Sequence, residues 1–310
     1  MNQPWRLTRR TALKLLGLGA GALAWPGAWA RVPEGSIRKR AVPSSDEQVP
    51  VVGVGTARTF DVGRTEAERE PLAAVLRQFF DHGGRVIDTS PMYGQAETVI
   101  GDLLARIDHP EPFYATKVWT RGERAGIRQM EQSAERLGTD VIDLMQVHNL
   151  VDWQTHLDTL ARWQDEGRIR YAGITHYVVS AFDDLERIMK ARDLDWVQLP
   201  LSLATPDAAD RLLPLAADRG IAVVVNRPFE NGRLFRRVGD RELPGWAAEF
   251  GAESWAQLFL KYILSYPEVT CVIPATSDPA HMADDMRAGY GPLPDAAQRR
   301  RMEKLWAEVA

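Results

Sequence analysis

Phe113-Tyr114-Ala115-Thr116-Lys117-Val118 is followed by Ile127, Met130, Ala134 and Leu137 at spacings of three and four, and then by Ile142-Asp143-Leu144-Met145-Gln146-Val147-His148. Two β-rich runs flanking a segment of helical period make one strand-helix-strand unit. The same alternation continues outward. Val51–Gly55 and Arg85–Thr89 precede it; Tyr171–Thr175, Trp196–Leu199, Ile221–Val225 and Thr270–Pro274 follow, with helical spacing again at Leu157, Leu160 and Ala161. Eight such strands predict an α/β fold, a single (β/α)8 TIM barrel of parallel strands joined by crossover helices. A doubly wound open sheet is the other architecture for this pattern. Against it, Gly53-Val54-Gly55-Thr56-Ala57-Arg58 after the first strand lacks the third glycine of a dinucleotide fingerprint.

Ile37–Val42 and Val49–Val52 flank Pro43-Ser44-Ser45-Asp46 and read as a β-hairpin, placed at the barrel bottom. No linker rich in proline, glycine or serine divides the chain, so residues 31–310 are expected to form one domain. Phe229–Pro244 reads as the longest irregular stretch, a candidate lid or phosphate-gripping segment.

The 310 residues are 45% hydrophobic and 26% charged, the balance of an ordinary globular protein. Residues 1–30 carry Arg6, Arg9, Arg10 and Lys14 and no acid; without them 34 basic residues face 42 acidic ones, a formal charge of -8. That excess of acid argues against a nucleic-acid partner. The single cysteine, Cys271, lies in the apolar run Val269–Ile273 and reads as a buried structural thiol.

The same thirty residues join a basic start to an apolar stretch, Ala12 to Trp25, and end in Ala28-Trp29-Ala30, a small-residue pattern suited to cleavage after Ala30. They read as a signal peptide. Thr8-Arg9-Arg10-Thr11-Ala12-Leu13-Lys14 resembles a twin-arginine signal, with Ala12 where phenylalanine is commoner. The resemblance implies the twin-arginine export machinery as a partner and a periplasmic or secreted location. The alternative is an N-terminal anchor, but the stretch is shorter than the roughly 20 residues a span needs. No stable membrane span is expected after processing.

In a parallel barrel the C-terminal strand ends open into one mouth, and polar residues there serve binding or reaction. The strand ends supply Asp88, Lys117, His148, Thr175, His176 and Gln198, and Tyr93 follows Asp88 in a loop able to return above it. Here a resemblance is plain. Gly84-Arg85-Val86-Ile87-Asp88-Thr89-Ser90-Pro91-Met92-Tyr93-Gly94-Gln95-Ala96-Glu97 resembles the aldo-keto reductase signature, and Thr116-Lys117-Val118 and Val147-His148 are similar to that family's Lys and His strand ends. The likeness runs from about Ile37 to Met286. It implies nicotinamide-dependent carbonyl chemistry, with Asp88, Tyr93, Lys117 and His148 as the catalytic set.

That set makes chemical sense. Hydride delivery to a carbonyl puts negative charge on oxygen, which an acid must neutralise. A phenol is a weak acid, with a pKa of about 10, and a neighbouring ammonium is expected to lower it. Lys117 would be that ammonium, held by Asp88, and His148 would hydrogen-bond the carbonyl oxygen. His82, His109 and His156 are expected at the surface. No paired His or Cys has metal-ligand spacing, so no metal is expected.

The resemblance further implies that Thr175, His176 and Gln198 meet the nicotinamide carboxamide, with Gly55, Thr56 and Asp88 nearby. Asn226-Arg227-Pro228-Phe229 stands where the family often has Tyr-Ser-Pro-Leu, so Asn226 cannot stack on the ring and Arg227 could grip a phosphate; Gly232 follows. Thr276, Ser277, His281, Asp284 and Asp285 occupy the adenosine-phosphate segment. NADP is the family default, and Asp278, an anion where the family has Lys or Asn, leaves NAD open. Thr276, Ser277 and the helix N-terminus after Pro279 remain able to bind a 2'-phosphate. The substrate would be a small carbonyl or alcohol. A non-catalytic NAD(P)-binding regulatory subunit on the same barrel is the alternative. A barrel hydrolase lacks a second strand-end carboxylate.

Overall fold

The computed structural model describes residues 32–309, so the signal-peptide reading of residues 1–30 lies outside the described residues. The hairpin comes first, β1 (Lys39–Ala41) antiparallel to β2 (Gln48–Pro50). Strands and helices then alternate: β3 (Val54–Gly55), α1 (Glu66–Asp81), β4 (Val86–Asp88), α2 (Ala96–Leu104), β5 (Phe113–Val118), α3 (Glu123–Leu137), β6 (Ile142–His148) and α4 (Trp153–Asp165). The second half adds β7 (Ile169–Thr175), α5 (Phe182–Ala191), β8 (Trp196–Pro200), α6 (Leu212–Arg219), β9 (Ala222–Asn226), α7 (Arg233–Val238), α8 (Trp255–Leu264), β10 (Val269–Val272), α9 (Pro279–Arg287) and α10 (Ala296–Val309). Strands β3 to β10 pair in chain order, each parallel to the next. The sheet closes on itself where Val52 bridges Val272; Gly53 N–H donates to Val272 O at 2.9 Å and Val272 N–H to Val51 O at 2.9 Å. The result is a (β/α)8 barrel.

The period of two along each strand sorts the side chains. On β5, Phe113, Ala115 and Lys117 share one face, and on β6 Leu144, Gln146 and His148 do so. The lower members of these rows, with Val86, Tyr171, Trp196, Ala222 and Val224, form a closed apolar cluster that also takes in Val42 and Val49 of the hairpin. The hairpin therefore plugs the N-terminal end of the barrel. It is fastened there by Tyr171, whose hydroxyl donates to Glu47 Oε2 at 2.8 Å and meets Ser45 Oγ at 2.6 Å. Gly173 is required in this stack, since a Cβ there would lie 2.6 Å from the carbonyl oxygen of Trp196. The alternate residues, among them Ile87, Met145, Val147, Ile174, Val197 and Val225, pack outward under the helices.

Two expectations are corrected. Phe229–Pro244 is not irregular throughout: α7 forms because Leu234 and Val238, four apart, bury on one face. His82 and His156 are fully buried, not at the surface. His82 Nδ1 meets Gln78 O at 2.8 Å within its own helix end, and His156 Nε2 meets Thr120 O at 2.8 Å, tying α4 to the loop after β5. Cys271 is buried as expected, and burial pushes its thiol pKa up.

Lys261 is buried on α8, where its ammonium donates to Tyr290 O at 2.6 Å and Pro292 O at 3.0 Å, the turn that leads into α10. Burial, with Arg38 adding like charge, lowers its pKa to about 8. A depressed amine binds its proton less well folded than unfolded, so between pH 8 and the ordinary lysine range the unfolded chain holds the extra proton and stability rises with pH. Chemical denaturation of the wild type and Lys261→Met from pH 7 to 10 checks this. Above pH 8 the wild type should gain stability relative to the variant, on the order of 1 kcal/mol per pH unit, with little change between pH 7 and 8.

Candidate active site

The upper ends of the inward rows are polar. Asp88 ends β4, Lys117 and Gln146 are register neighbours on β5 and β6, His148 pairs with Thr175, Thr175 with Gln198, and Asn226 ends β9. Asp88 sits at the centre of this layer. Its Oδ2 accepts from Lys117 Nζ at 2.7 Å, and its Oδ1 from Gln198 Nε2 at 2.7 Å and Gln146 Nε2 at 3.4 Å. Lys117 Nζ also donates to Thr89 O at 2.7 Å. Gln198 Oε1 in turn accepts from Thr175 Oγ1 at 3.0 Å and Asn226 Nδ2 at 3.3 Å. A buried ion pair is tolerable only when its remaining valences are satisfied, and here the glutamines and the Thr89 carbonyl do that.

The loop after β4 returns Tyr93 over the pair. Tyr93 N–H donates to Ser90 O at 3.0 Å, and Gln95 N–H, entering α2, donates to Asp61 Oδ1 at 2.9 Å. Gly94 between them has φ +61°, and a Cβ there would collide with the Asp61 carboxylate, so the turn needs glycine. The Tyr93 ring centroid lies 5.2 Å from Lys117 Nζ, and the ring meets His148 edge-on at 5.8 Å. Glu97 of the same motif serves the neighbouring strand: its Oε1 accepts from Thr116 Oγ1 at 2.7 Å, beside Lys117.

The electrostatics follow from burial and neighbours. Burial is the largest influence on Lys117 and opposes its ammonium, but the charges of Asp88 and Tyr93 and the hydrogen bonds to both together outweigh it, so the lysine pKa is raised and the side chain is charged. His148 is driven down to about 2, first by burial and then by the positive charge of Lys117 and His176, so its imidazole is neutral. The expectation that Lys117 lowers the phenol is corrected in net direction. Burial raises Tyr93; Lys117 opposes it, and Asp88, cancelling much of that charge, reinforces it. At neutral pH the phenol therefore keeps its proton, the form a proton donor requires.

A cavity of 950 Å³ opens above these groups, bounded by Asp88, Tyr93, His148, Thr175, Gln198 and Asn226 on the strand side and by Arg227, Phe229, Gly232 and Phe235 beyond β9. Met92, Tyr177 and Phe235 at its walls are large apolar or aromatic side chains left exposed, as is Trp119, whose ring lies 6.5 Å from that of His148. A second cavity, of 440 Å³, lies beside the hairpin between Arg192, Asp195 and Arg219, away from all of them.

A model of the aldo/keto reductase family matches residues 51–306. The chain belongs to that family. This aldo-keto reductase is 26% identical to methylglyoxal reductase YeaE of Escherichia coli strain K12 over 77% of its own length and 85% of the relative's. It is 29% identical to an NADH-specific methylglyoxal reductase of the same strain, over 53% of this chain and 58% of that one. Among solved structures, an aldo/keto reductase from Klebsiella pneumoniae in complex with NADP and acetate superposes with a TM-score of 0.74 at 25% identity, covering 87% of this chain and 96% of the other. Family and neighbours make the protein an NAD(P)-dependent oxidoreductase that acts on carbonyl groups.

The reductase brings ten of the residues named from sequence for the cofactor to its cavity: Gly55, Thr56, Asp88, Thr175, Gln198, Asn226, Arg227, Pro228, Phe229 and Gly232. Asn226 leaves its Oδ1 buried without a partner there, an acceptor that suits a carboxamide N–H, so the residues present fit a nicotinamide. His176 does not join them. Its Nδ1 accepts from Tyr177 N–H at 3.0 Å and Val178 N–H at 3.3 Å, so the ring serves its own loop. Arg227 donates to Tyr177 O at 3.1 Å and lies over the Tyr177 ring at 5.6 Å. Asp284 turns away to α8, accepting from Ser254 Oγ and Gln257 Nε2, each at 2.6 Å. Asp285 is buried, and its carboxyl pKa is raised well above the usual range, by burial first and the charge of Asp284 second. Thr276 and Ser277 lie outside the cavity wall, and Thr276 Oγ1 accepts from Asp278 N–H at 3.0 Å. The helix N-terminus after Pro279 is not free: Asp278 Oδ1 accepts from Ala280 N–H at 2.7 Å and from the N–H of His281 at 3.3 Å. The sequence reading missed Ser90, whose hydroxyl meets His148 Nδ1 at 3.0 Å.

Proposed function

We propose that the chain reduces an aldehyde or ketone to an alcohol, with Tyr93 as general acid, Lys117 and Asp88 supporting it, and His148 orienting the carbonyl. The observation that carries this reading is the buried Lys117–Asp88 pair with the Tyr93 phenol beside it, opening on a cavity that fits a nicotinamide. The bound dinucleotide supplies the hydride. Tyr93 Oη gives its proton to the carbonyl oxygen as negative charge develops there, and the Lys117 ammonium stabilises the phenolate left behind. Thr175, Gln198 and Asn226 would hold the carboxamide, and Gly55, Thr56 and Phe229 would border the ring. The exposed faces of Met92 and Trp119 suit a substrate with an apolar group next to its carbonyl. Mixing the NADPH-loaded protein with an excess of methylglyoxal or an aromatic aldehyde in a stopped-flow cell should consume the NADPH absorbance in one turnover. Tight binding with no oxidation by any carbonyl would leave the regulatory-subunit reading in its place.

NADP is the cofactor of the solved relative, and Asp278 narrows its advantage here. The carboxylate already takes the first N–H groups of α9 and adds a negative charge where a 2'-phosphate would approach. Asp278→Asn keeps the helix cap and removes the charge. It should tighten NADPH relative to NADH by roughly 2- to 5-fold, the modest effect of removing one solvent-screened repulsion at an exposed carboxylate; fluorescence titration with both nucleotides reads the ratio.

Residues 1–30 support a further part of the reading, export by the twin-arginine route to the periplasm or medium after cofactor loading. Cells making the full chain should yield a periplasmic form beginning at Arg31, and Arg9→Lys with Arg10→Lys should leave the precursor in the cytoplasm. Intact-mass measurement of the two fractions distinguishes these results.

A further inference from the structure

Ser90 stands in the signature between the catalytic-pair strand and Tyr93, and nothing in the proposed reaction uses it. It is fully buried, and its Oγ lies 3.0 Å from His148 Nδ1. The direction of that hydrogen bond decides what the imidazole can do. A neutral imidazole has one N–H and one bare nitrogen, and the partner of the first nitrogen selects which proton the second carries.

The neighbours of Ser90 resolve the direction. Its Oγ already accepts from Met92 N–H at 3.3 Å. Among the described residues the hydroxyl hydrogen has no acceptor other than Nδ1. If Nδ1 carried the proton, the oxygen would accept two N–H groups while a buried O–H went unpaired, an arrangement that costs about 1–3 kcal/mol. If the hydroxyl donates to Nδ1, both Ser90 Oγ and His148 Nδ1 are satisfied. Among the described residues Nε2 has no hydrogen-bond partner, and it belongs to a residue on the cavity wall, where a substrate oxygen would arrive.

We propose that Ser90 is a positioning residue that holds His148 as the Nε2–H tautomer, so that the imidazole presents a hydrogen-bond donor to the carbonyl oxygen and not a lone pair. The burial that keeps the ring neutral makes this choice necessary, because an imidazolium would donate from either nitrogen. Met92 N–H is part of the device: by taking one lone pair of Ser90 Oγ it leaves the hydroxyl to point at the ring. The tautomer itself follows from geometry alone, whereas its catalytic consequence rests on the reductase reading.

The test is the 15N spectrum of histidine-labelled, cofactor-loaded protein together with kinetics. In the wild type the His148 ring should show a bare Nδ1 and a protonated Nε2. Ser90→Ala should move both ring shifts toward a mixture of tautomers and lower kcat by roughly 10- to 100-fold, the usual effect of losing a partner that orients a functional histidine. Cofactor affinity should stay within about twofold, since Ser90 has no place in that wall. Ser90→Thr, which keeps the hydroxyl, should restore the shifts and most of kcat. A wild-type spectrum with the proton on Nδ1 overturns the proposal, as does a Ser90→Ala protein with unchanged ring shifts and unchanged kcat. A tautomer as proposed in a protein that reduces no carbonyl would overturn the reductase reading and leave the role of Ser90 toward the ring standing.

Discussion

Tyr93→Phe lowers kcat for carbonyl reduction on the order of 10³-fold while leaving nucleotide binding nearly intact: this is the expected result of removing one oxygen atom. The phenol beside Lys117 holds a transferable proton at neutral pH, because burial and the charge of Asp88 together outweigh Lys117 and keep it protonated. General acid catalysis contributes roughly 10²–10⁴-fold, so its removal costs the middle of that range. The ring itself remains, packed edge-on to His148 and over the Lys117 ammonium, so the walls of the cavity keep their shape. Single-turnover oxidation of bound NADPH measures the loss directly, and fluorescence titration measures retained binding. The measured pH dependence should also change: the wild type should lose activity at alkaline pH, above the ordinary phenol range, as Tyr93 gives up its proton, and the Phe variant should lack that limb. A variant with wild-type turnover would remove Tyr93 from the mechanism.

Much of this site was legible in the sequence, for a reason the barrel makes clear. Side chains alternate along a strand, so the residues at the C-terminal ends of β4, β5, β6 and β8 must converge once the sheet closes, and Asp88, Lys117, His148 and Gln198 could be read from strand ends alone. Phe113–Val118 and Ile142–His148 matched their strands residue for residue, because β-branched and aromatic runs bounded by polar turns leave little choice. Loops and helix faces were harder. Whether Asp284 points to a ligand or to Ser254 and Gln257 depends on the rotation of α9 against α8, and no local pattern encodes that. The burial of His156 depends on Gly126 leaving room beside it, a contact between the successive helices α3 and α4 that the pattern of neither helix encodes by itself. Ser90 carried a signal that was present but unread. A hydroxyl two residues before a backbone N–H and three before Tyr93 can bridge the loop to a neighbouring strand, and only the facing His148 gives that bridge a purpose. The net direction of the Tyr93 shift was missed because the sequence names its charged neighbours without saying how deeply the phenol is buried, and burial is the largest cause.

Lys117→Met should destabilise the fold by about 3–5 kcal/mol, the cost of leaving a buried charge without its partner. Lys117 is wholly buried, its ammonium 2.7 Å from Asp88 Oδ2, and the carboxylate has only the two glutamine amides besides. Neither amide carries charge, so neither replaces what is lost. The decisive comparison is the double variant Asp88→Asn, Lys117→Met. An asparagine in place of Asp88 can still accept from Gln198, and a methionine fills the volume of the lysine stem without a charge. Most of the lost stability should therefore return, leaving the double variant within about 1–2 kcal/mol of the wild type by urea denaturation. Activity should not return. With neither ammonium nor carboxylate, nothing beside Tyr93 stabilises the phenolate formed when its proton leaves, and turnover should remain down on the order of 10³-fold. Stability recovered without catalysis is what separates a pair that serves chemistry from one that merely holds the barrel mouth together. If the double variant regained turnover along with stability, the ion pair would be structural, and the acid strength of Tyr93 would need another source.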